Sequence, residues 1–156
     1  MEYGITPMLS SHLDQVEEIE KNCFDDPWSR KIFEESLADG NTTNLAAVDP
    51  DGSVLGYVSF TCICDEGGIN NIAVLPSCRR QGIASALLDA ARRSAEEKHL
   101  AFLTLEVRRS NTAAQALYAR HGYQVVGCRK NYYLHPKEDA VIMTLEFTNG
   151  TENTIP

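Results

Sequence analysis

The sequence predicts an α/β fold, an α+β mixed sheet with helices on both faces in the order β-α-α-β-β-β-α-β-α-β-β, and three observations predict it. Strand-like apolar runs fill 43–76, broken by the turn sequences Asp49-Pro50-Asp51-Gly52 and Asp65-Glu66-Gly67-Gly68. From Gly82 the period changes: Ile83, Ala86, Leu87, Ala90, Ala91 and Ala95 recur at helical spacing. Beyond it a second strand–helix pair leads into a run that reads as a closing hairpin.

Taken in order, a short strand spans Tyr3 to Met8, and Ser10 or Ser11 then caps a helix carrying Leu13, Val16 and Ile19. "CFDDPWSRKIFEESLADG" turns into a second helix, with Ser29 as cap and Gly40 as stop. "TNLAAVD", "SVLGYVSFTCIC" and "GINNIAVLP" are the three strands of the middle region. After the long helix, "LAFLTLEV" is a buried strand. "SNTAAQALYARHG" is a helix with Ser110 or Asn111 as cap and Gly122 as terminator. "YQVVGCRKNYYL" and "DAVIMTLEF" form the hairpin, giving a single domain over 1–148 with 149–156 as a flexible tail.

A formal charge of −8 argues against a nucleic-acid surface and suits a cationic substrate such as an amine or basic peptide. No apolar run reaches a membrane span, and no signal peptide opens the chain, so the expected location is cytoplasmic. The 5 cysteines lack metal-type pairing; Cys62 and Cys64 read as buried free thiols on one face of a strand. The 4 histidines form no HExxH pair, and no metal is expected. The expected partners exclude nucleic acid and membrane, and the chain is expected to be a monomer or weak dimer.

The chemistry concentrates in "SCRRQGIASALL", 77–88, where a strand ending at Pro76 passes through a short loop into the helix at Gly82. Such a turn offers unpaired N–H groups at the positive end of a helix, and Arg79 and Arg80 add charge-assisted contacts. Gly82 leaves room for a ligand's oxygens to approach. The residues fit a pyrophosphate cradle and also fit a plain capped helix with solvated arginines. They are neither a P-loop nor a dinucleotide fingerprint.

Arg79-Arg80-Gln81-Gly82-Ile83-Ala84 resembles the Arg/Gln-x-x-Gly-x-Gly/Ala signature of the GNAT superfamily of N-acetyltransferases, and the order of elements is similar to the GNAT fold. "PWS" (27–29), "LEVRRSNTAAQALYARHGY" (105–123) and "RKNYY" (129–133) resemble its ribosomal-protein-alanine branch in bacteria. Ala84 departs from that branch, where glycine is usual. The resemblance implies acetyl-CoA as co-substrate, its pantetheine arm pairing with the main chain of Ile72, Ala73 and Val74. The pyrophosphate would rest on Arg79, Arg80, Gln81, Gly82, Ile83, Ala84 and Ser85. It further implies cofactor contact by Asn111, whose other reading is a helix cap. Glu106 becomes the general base and Tyr118 the general acid, where the plain readings are a solvated strand end and core packing. The peptide acceptor falls to Trp28, Asn131, Tyr132 and Tyr133, the tyrosines otherwise packing a hairpin; Glu34, Glu35, Glu138 and Asp139 would attract a basic peptide.

An α-amino group near pKa 7.8 costs only about 1 kcal/mol to deprotonate at pH 7, against about 4.6 kcal/mol for a lysine. Direct attack on a thioester therefore favours a protein N-terminus. The expected function is acetylation of the N-terminal alanine of a ribosomal protein, bacterial S18 by the resemblance. The alternatives are other N-termini, a lysine, a small amine, or a non-catalytic acyl-CoA-binding module.

Overall fold

A computed structural model describes residues 2–147. The expected tail over 149–156 lies outside the described residues. Among the described residues seven strands form one sheet in the order β1-β2-β3-β4-β5-β7-β6, and four α-helices accompany it. By internal packing the chain divides into two compact units: residues up to Thr61 with Ile69–Ala91, and Cys62–Gly68 with the residues from Arg92 onward.

In the first unit, β1 (Gly4–Pro7) pairs antiparallel with β2 (Thr42–Val48), which pairs antiparallel with β3 (Val54–Ile63). α1 (Leu13–Cys23) buries Leu13, Val16 and Ile19, as its spacing requires, and also Glu20. It has no serine cap. A 3-10 turn over Ser10–His12 precedes it, and the His12 ring accepts the Leu9 N–H at 3.0 Å, which makes a hydroxyl cap redundant. α2 (Arg30–Ala38) starts as expected, the Ser29 hydroxyl accepting from the Ile32 N–H. Its end is set by Asp39 rather than Gly40: the Asp39 carboxylate accepts from the Asn41 N–H and the Thr42 hydroxyl, and Gly40 has no left-handed φ. Phe33 and Tyr57 meet edge-on at 5.6 Å within this core. Each such large apolar side chain contributes about 1.5–3 kcal/mol when fully buried.

β4 (Glu66–Val74) starts in the second unit, where Glu66–Gly68 pair in parallel with the first residues of β5 (Phe102–Arg108), and ends in the first. Gly67 and Gly68 therefore lie in a strand, not in the turn expected of them. The turn is tighter, with Cys64 at φ 56. Gly67 is required by packing, because a Cβ there would sit 2.8 Å from side chains of both Leu100 and Leu103. Cys62 is half-buried and Cys64 exposed at the turn, correcting the expectation of two buried thiols on one strand face.

α3 (Ile83–Glu97) follows β4. α4 (Thr112–Arg120) is capped by Asn111, which accepts from the Ala114 N–H at 3.1 Å, and ends before Gly122 at φ 93. β6 (Gln124–Leu134) and β7 (Lys137–Glu146) form the hairpin, and β7 pairs along the full length of β5. Leu103, Leu105 and Val107 alternate inward on β5, against Met143 and Leu145 of β7 in the buried core. No helix among the described residues is long and apolar enough to cross a membrane.

Candidate functional site

The first unit holds the loop that the sequence marks for phosphate. The Leu75 N–H donates to the Leu55 carbonyl at 2.9 Å, fastening the end of β4, and a 3-10 turn over Pro76–Cys78 lifts the chain toward α3. Arg80 at φ 63 and Gly82 at φ 81 both take left-handed backbone. Such a conformation costs a residue with a Cβ about 1–2 kcal/mol, so the strain at Arg80 marks an imposed loop shape. For Gly82 it supplies a reason beyond ligand clearance; a Cβ there would meet open space. The Gly82 carbonyl accepts from the Ala86 N–H at 3.0 Å and so opens α3. The N–H groups of the helix's first turn have no intrahelical acceptor and point out of its positive end.

Arg79 and Arg80 differ in what they do. The Arg79 side chain turns back: its Nε donates to the Val74 carbonyl at 3.4 Å and its Nη2 lies 3.3 Å from the Cys23 sulfur. The Cys23 thiol donates to the same carbonyl at 3.5 Å. Arg79 thus braces the strand end against the loop. Arg80, Gln81 and Gly82 are exposed, Ala73 and Val74 are buried, and Ile72 is half-buried. Ile83 is buried, while Ala84 and Ser85 are half-buried on the first turn of α3.

Trp28 belongs to the same unit. Its ring packs on Phe33 at 5.4 Å, and its main-chain N–H donates to Glu20 Oε2 at 3.0 Å. Glu20 is 1 % exposed and also accepts from the Tyr57 hydroxyl and the Asn71 amide. Desolvation raises its pKa above the usual carboxylate value, while the Tyr57, Trp28 and Asn71 donors pull it back. Sequence reasoning passed over Glu20. Its signal was a glutamate next to Ile19 and four residues after Val16, on the apolar stripe of α1.

The second unit carries Glu106 and Tyr118. Alternation along β5 puts Glu106 on the face of Phe102 and Thr104, as expected, and Arg108 follows on that face. Arg129 Nε donates to Glu106 Oε2 at 3.2 Å, and its guanidinium lies 5.8 Å from the Tyr132 ring centre. Glu106 Oε1 makes no hydrogen bond among the described residues. Tyr118 is 8 % exposed, packs on Tyr123 at 6.0 Å, and is pushed up to about 12 by burial. The Tyr123 hydroxyl is buried without a hydrogen-bond partner among the described residues, and burial raises it further.

The β6–β7 register breaks between Arg129 and Tyr133, so Lys130, Asn131 and Tyr132 bulge from the ladder. Asn131 takes φ 53, and its N–H donates to Asp139 Oδ1 at 2.8 Å. Tyr132 projects outward while Tyr133 is half-buried, the rings meeting edge-on at 5.1 Å. Arg108, which sequence reasoning did not single out, fixes this hairpin. It stacks 4.3 Å over the Tyr133 ring and donates to the carbonyls of His135 (2.9 Å) and Pro136 (2.8 Å) and to Glu138 Oε1 (3.2 Å). Burial pushes Tyr133 up to about 12. Of the four acids expected to attract a peptide, Glu34 pairs with Arg30, Glu138 with Arg108 and Asp139 with Arg109. Among the described residues no group of three His, Cys, Asp or Glu side chains is placed to hold a metal ion.

Residues 13–123 match the Acetyltransferase (GNAT) family. A Bacillus subtilis (strain 168) protein, whose name gives ribosomal protein bS18-alanine N-acetyltransferase as a provisional activity, is 38% identical over 140 residues, 90% of this chain and 93% of that one. The crystal structure of the ribosomal-protein-S18-alanine N-acetyltransferase from Escherichia coli superposes with a TM-score of 0.89 at 33% identity, covering 99% of both chains. A GNAT family acetyltransferase from Elizabethkingia anophelis, crystallised with acetyl-CoA bound, shares the fold at a TM-score of 0.75 and 19% identity, over 94% of this chain and 99% of that one.

Proposed function

This chain belongs to the GNAT acetyltransferase family, and from that membership we propose that it transfers the acetyl group of acetyl-CoA to the N-terminal alanine of ribosomal protein S18. The acceptor rests on one observation, the likeness to the Escherichia coli enzyme over 99% of both chains. The family match runs through both compact units, which supports reading 1–148 as one acetyltransferase domain. We further propose a cytoplasmic location, in keeping with a ribosomal-protein acceptor, no nucleic-acid or membrane partner of its own, and a monomer or weak dimer.

Acetyl-CoA supplies an activated thioester. The main chain of Ile72, Ala73 and Val74 lies alongside its pantetheine arm, as an added strand would. The N–H groups of Gln81, Gly82, Ile83, Ala84 and Ser85, with the Arg80 guanidinium, receive the pyrophosphate. Arg79 keeps the loop in shape by bracing the Val74 carbonyl. Asn111 caps α4, and its contact with the cofactor is made from that cap position.

Glu106 takes a proton from the α-ammonium group, directly or through a water, and Oε1 is the oxygen left for it while Arg129 holds Oε2. The amine nitrogen then bonds to the thioester carbon, and the Val74 N–H is the candidate donor to the oxyanion. As the C–S bond breaks, Tyr118 donates its proton to the departing sulfur, and the nitrogen gives up its second proton to water to leave a neutral amide. The phenolate of Tyr118 and the carboxyl of Glu106 return to their starting states by exchange with solvent. With Tyr118 at about 12 and a free thiol at about 8.5, full transfer is uphill by about 5 kcal/mol. Burial raises the departing thiolate as well, which narrows that gap. Tyr118 thus acts first as a hydrogen-bond donor and gives up its proton late. Asn131, Tyr132 and Tyr133, on the β6 bulge, and Trp28 contact the peptide.

Thiol release with short peptides beginning Ala, Ser or Met and with free amines tests the activity, and mass spectrometry of ribosomal proteins after gene deletion tests the acceptor. Loss of the acetyl mark on S18 is the expected result. An unchanged S18, or turnover only on free amines or lysine, overturns the acceptor. Acetyl-CoA binding without turnover on any acceptor overturns the enzyme.

A further inference from the structure

Glu20 is a carboxylate in the middle of a hydrophobic face. It lies on α1 beside Leu13, Val16 and Ile19, and is as deeply buried as they are. A carboxylate in such a place survives only when its oxygens are filled with donors, and these are. The Tyr57 hydroxyl donates to Oε1; the Asn71 amide reaches Oε1 at 3.1 Å and Oε2 at 2.9 Å; the Trp28 N–H donates to Oε2 at 3.0 Å. The Asn71 amide also lies 3.0 Å from the Tyr57 hydroxyl, which closes the network.

Stability alone gives no reason for a carboxylate here, because well-packed apolar residues often do as well as a buried charged cluster. What distinguishes Glu20 is what it joins. Trp28 lies in the irregular segment between α1 and α2, which has no strand or helix of its own to hold it. Its N–H is held by Glu20 and its ring by Phe33, and Phe33 in turn meets Tyr57. Asn71 immediately precedes Ile72, the first residue assigned to the acyl donor's strand. One carboxylate therefore ties the Pro27–Trp28–Ser29 segment to the strand that carries the donor.

We propose that Glu20 is a positioning residue for the acceptor: itself fixed by the Tyr57 hydroxyl and the Asn71 amide, it holds the main-chain N–H of Trp28 and so sets that residue where the incoming peptide is gripped. This rests on the reading of Trp28 as a peptide contact. Glu20 acts through Trp28 and touches no reacting atom.

Trp28 is the chain's single tryptophan, so its fluorescence reports its setting without reference to activity. The full chain is compared with Glu20→Ala, Glu20→Gln, Trp28→Ala and the Glu20→Ala/Trp28→Ala double variant, using a short peptide beginning with alanine at saturating acetyl-CoA. In Glu20→Ala the Trp28 emission moves to longer wavelength and its anisotropy falls. The peptide KM rises about tenfold, the effect of losing one charge-assisted hydrogen bond, with kcat changed less than about threefold and acetyl-CoA affinity less than about twofold. Glu20→Gln keeps an oxygen for the Trp28 N–H and recovers most of the KM.

The double variant has the KM of Trp28→Ala alone, since Glu20 works through that side chain. Unchanged fluorescence in Glu20→Ala overturns the proposal, as does a double variant whose KM is the product of the two single effects. A loss shared by kcat, peptide KM and acetyl-CoA affinity also overturns it, because that is a merely structural role. Should Glu20→Ala fail to fold, Tyr57→Phe, which removes one of the donors that fix the carboxylate, takes its place under the same criteria. If Trp28→Ala itself leaves KM unchanged, the peptide reading of Trp28 fails instead, and the fluorescence result separates the two.

Discussion

At Tyr118 the local environment decides how a phenol can serve as an acid. Its ring lies against Tyr123 in a dry part of the second unit, and burial alone pushes it up to about 12. Tyr118→Phe leaves the packing and removes the donor, so kcat should fall by about 10²–10⁴ while acetyl-CoA affinity stays near that of the wild type; single-turnover thiol release and a binding titration check this. The same shift makes a stability prediction. The folded protein keeps the Tyr118 proton up to about 12, whereas the unfolded chain loses it near pH 10. Its contribution is therefore complete below about pH 10 and declines as pH rises from there through 12, by at most about 2–3 kcal/mol. Urea unfolding at pH 9 and pH 11 should show the wild type losing more stability than Tyr118→Phe, and equal losses would contradict the assignment.

At the scale of elements, β4 is both a core strand and the surface assigned to the acyl donor, and Gly56 on β3 is what permits both. A Cβ at Gly56 would stand 2.8 Å from the Ala73 carbonyl, 3.2 Å from a Val74 methyl and 3.3 Å from Leu87. The nearest of these is backbone, so the strand itself must move. Gly56→Ala should lower stability by about 1–3 kcal/mol and weaken acetyl-CoA binding, as read by thermal melts with and without the ligand. Gly68→Ala is the control: a Cβ there meets only Thr104 at 3.9 Å, so stability and affinity should hold. Elements set by local chemistry were legible in the sequence. Ser29 and Asn111 cap their helices through their own side chains, Gly122 takes the left-handed turn, and alternation along β5 orients Glu106. Where competing groups lay within three residues, the sequence misled. The His12 ring displaced a serine cap, and the Asp39 carboxylate displaced Gly40. The side-chain partnerships of the candidate site were not legible at all, because they join distant positions. Glu106 meets Arg129 across 23 residues, Arg108 reaches Pro136 across 28, and Glu20 meets Asn71 across 51.

Across the whole molecule the charge of −8 has to act as a summed field rather than through a dedicated acidic patch. Three of the four carboxylates that the sequence offered as a patch are engaged with arginines of their own chain: Glu34 with Arg30 at 3.5 Å, Glu138 with Arg108 at 3.2 Å and Asp139 with Arg109 at 3.8 Å. Glu138 also accepts the Ser110 N–H, and Ser110 and Arg108 hold its carboxyl below the usual carboxylate range. Reversing Glu138 or Asp139 would disturb the hairpin before it changed any peptide's approach. Steering by the net field makes a different prediction, because exposed charges are screened over a Debye length of about 30 Å at 0.01 M salt and about 8 Å at 0.15 M. For a peptide beginning with alanine and carrying several lysines or arginines, kcat/KM should fall steadily over that range of salt. For a neutral peptide with the same first residue it should stay flat, and Glu35→Lys alone should change neither by more than about twofold. Equal salt slopes for the two peptides would remove the field from the account. A large effect of Glu35→Lys at high salt would instead place one local carboxylate in direct contact with the acceptor.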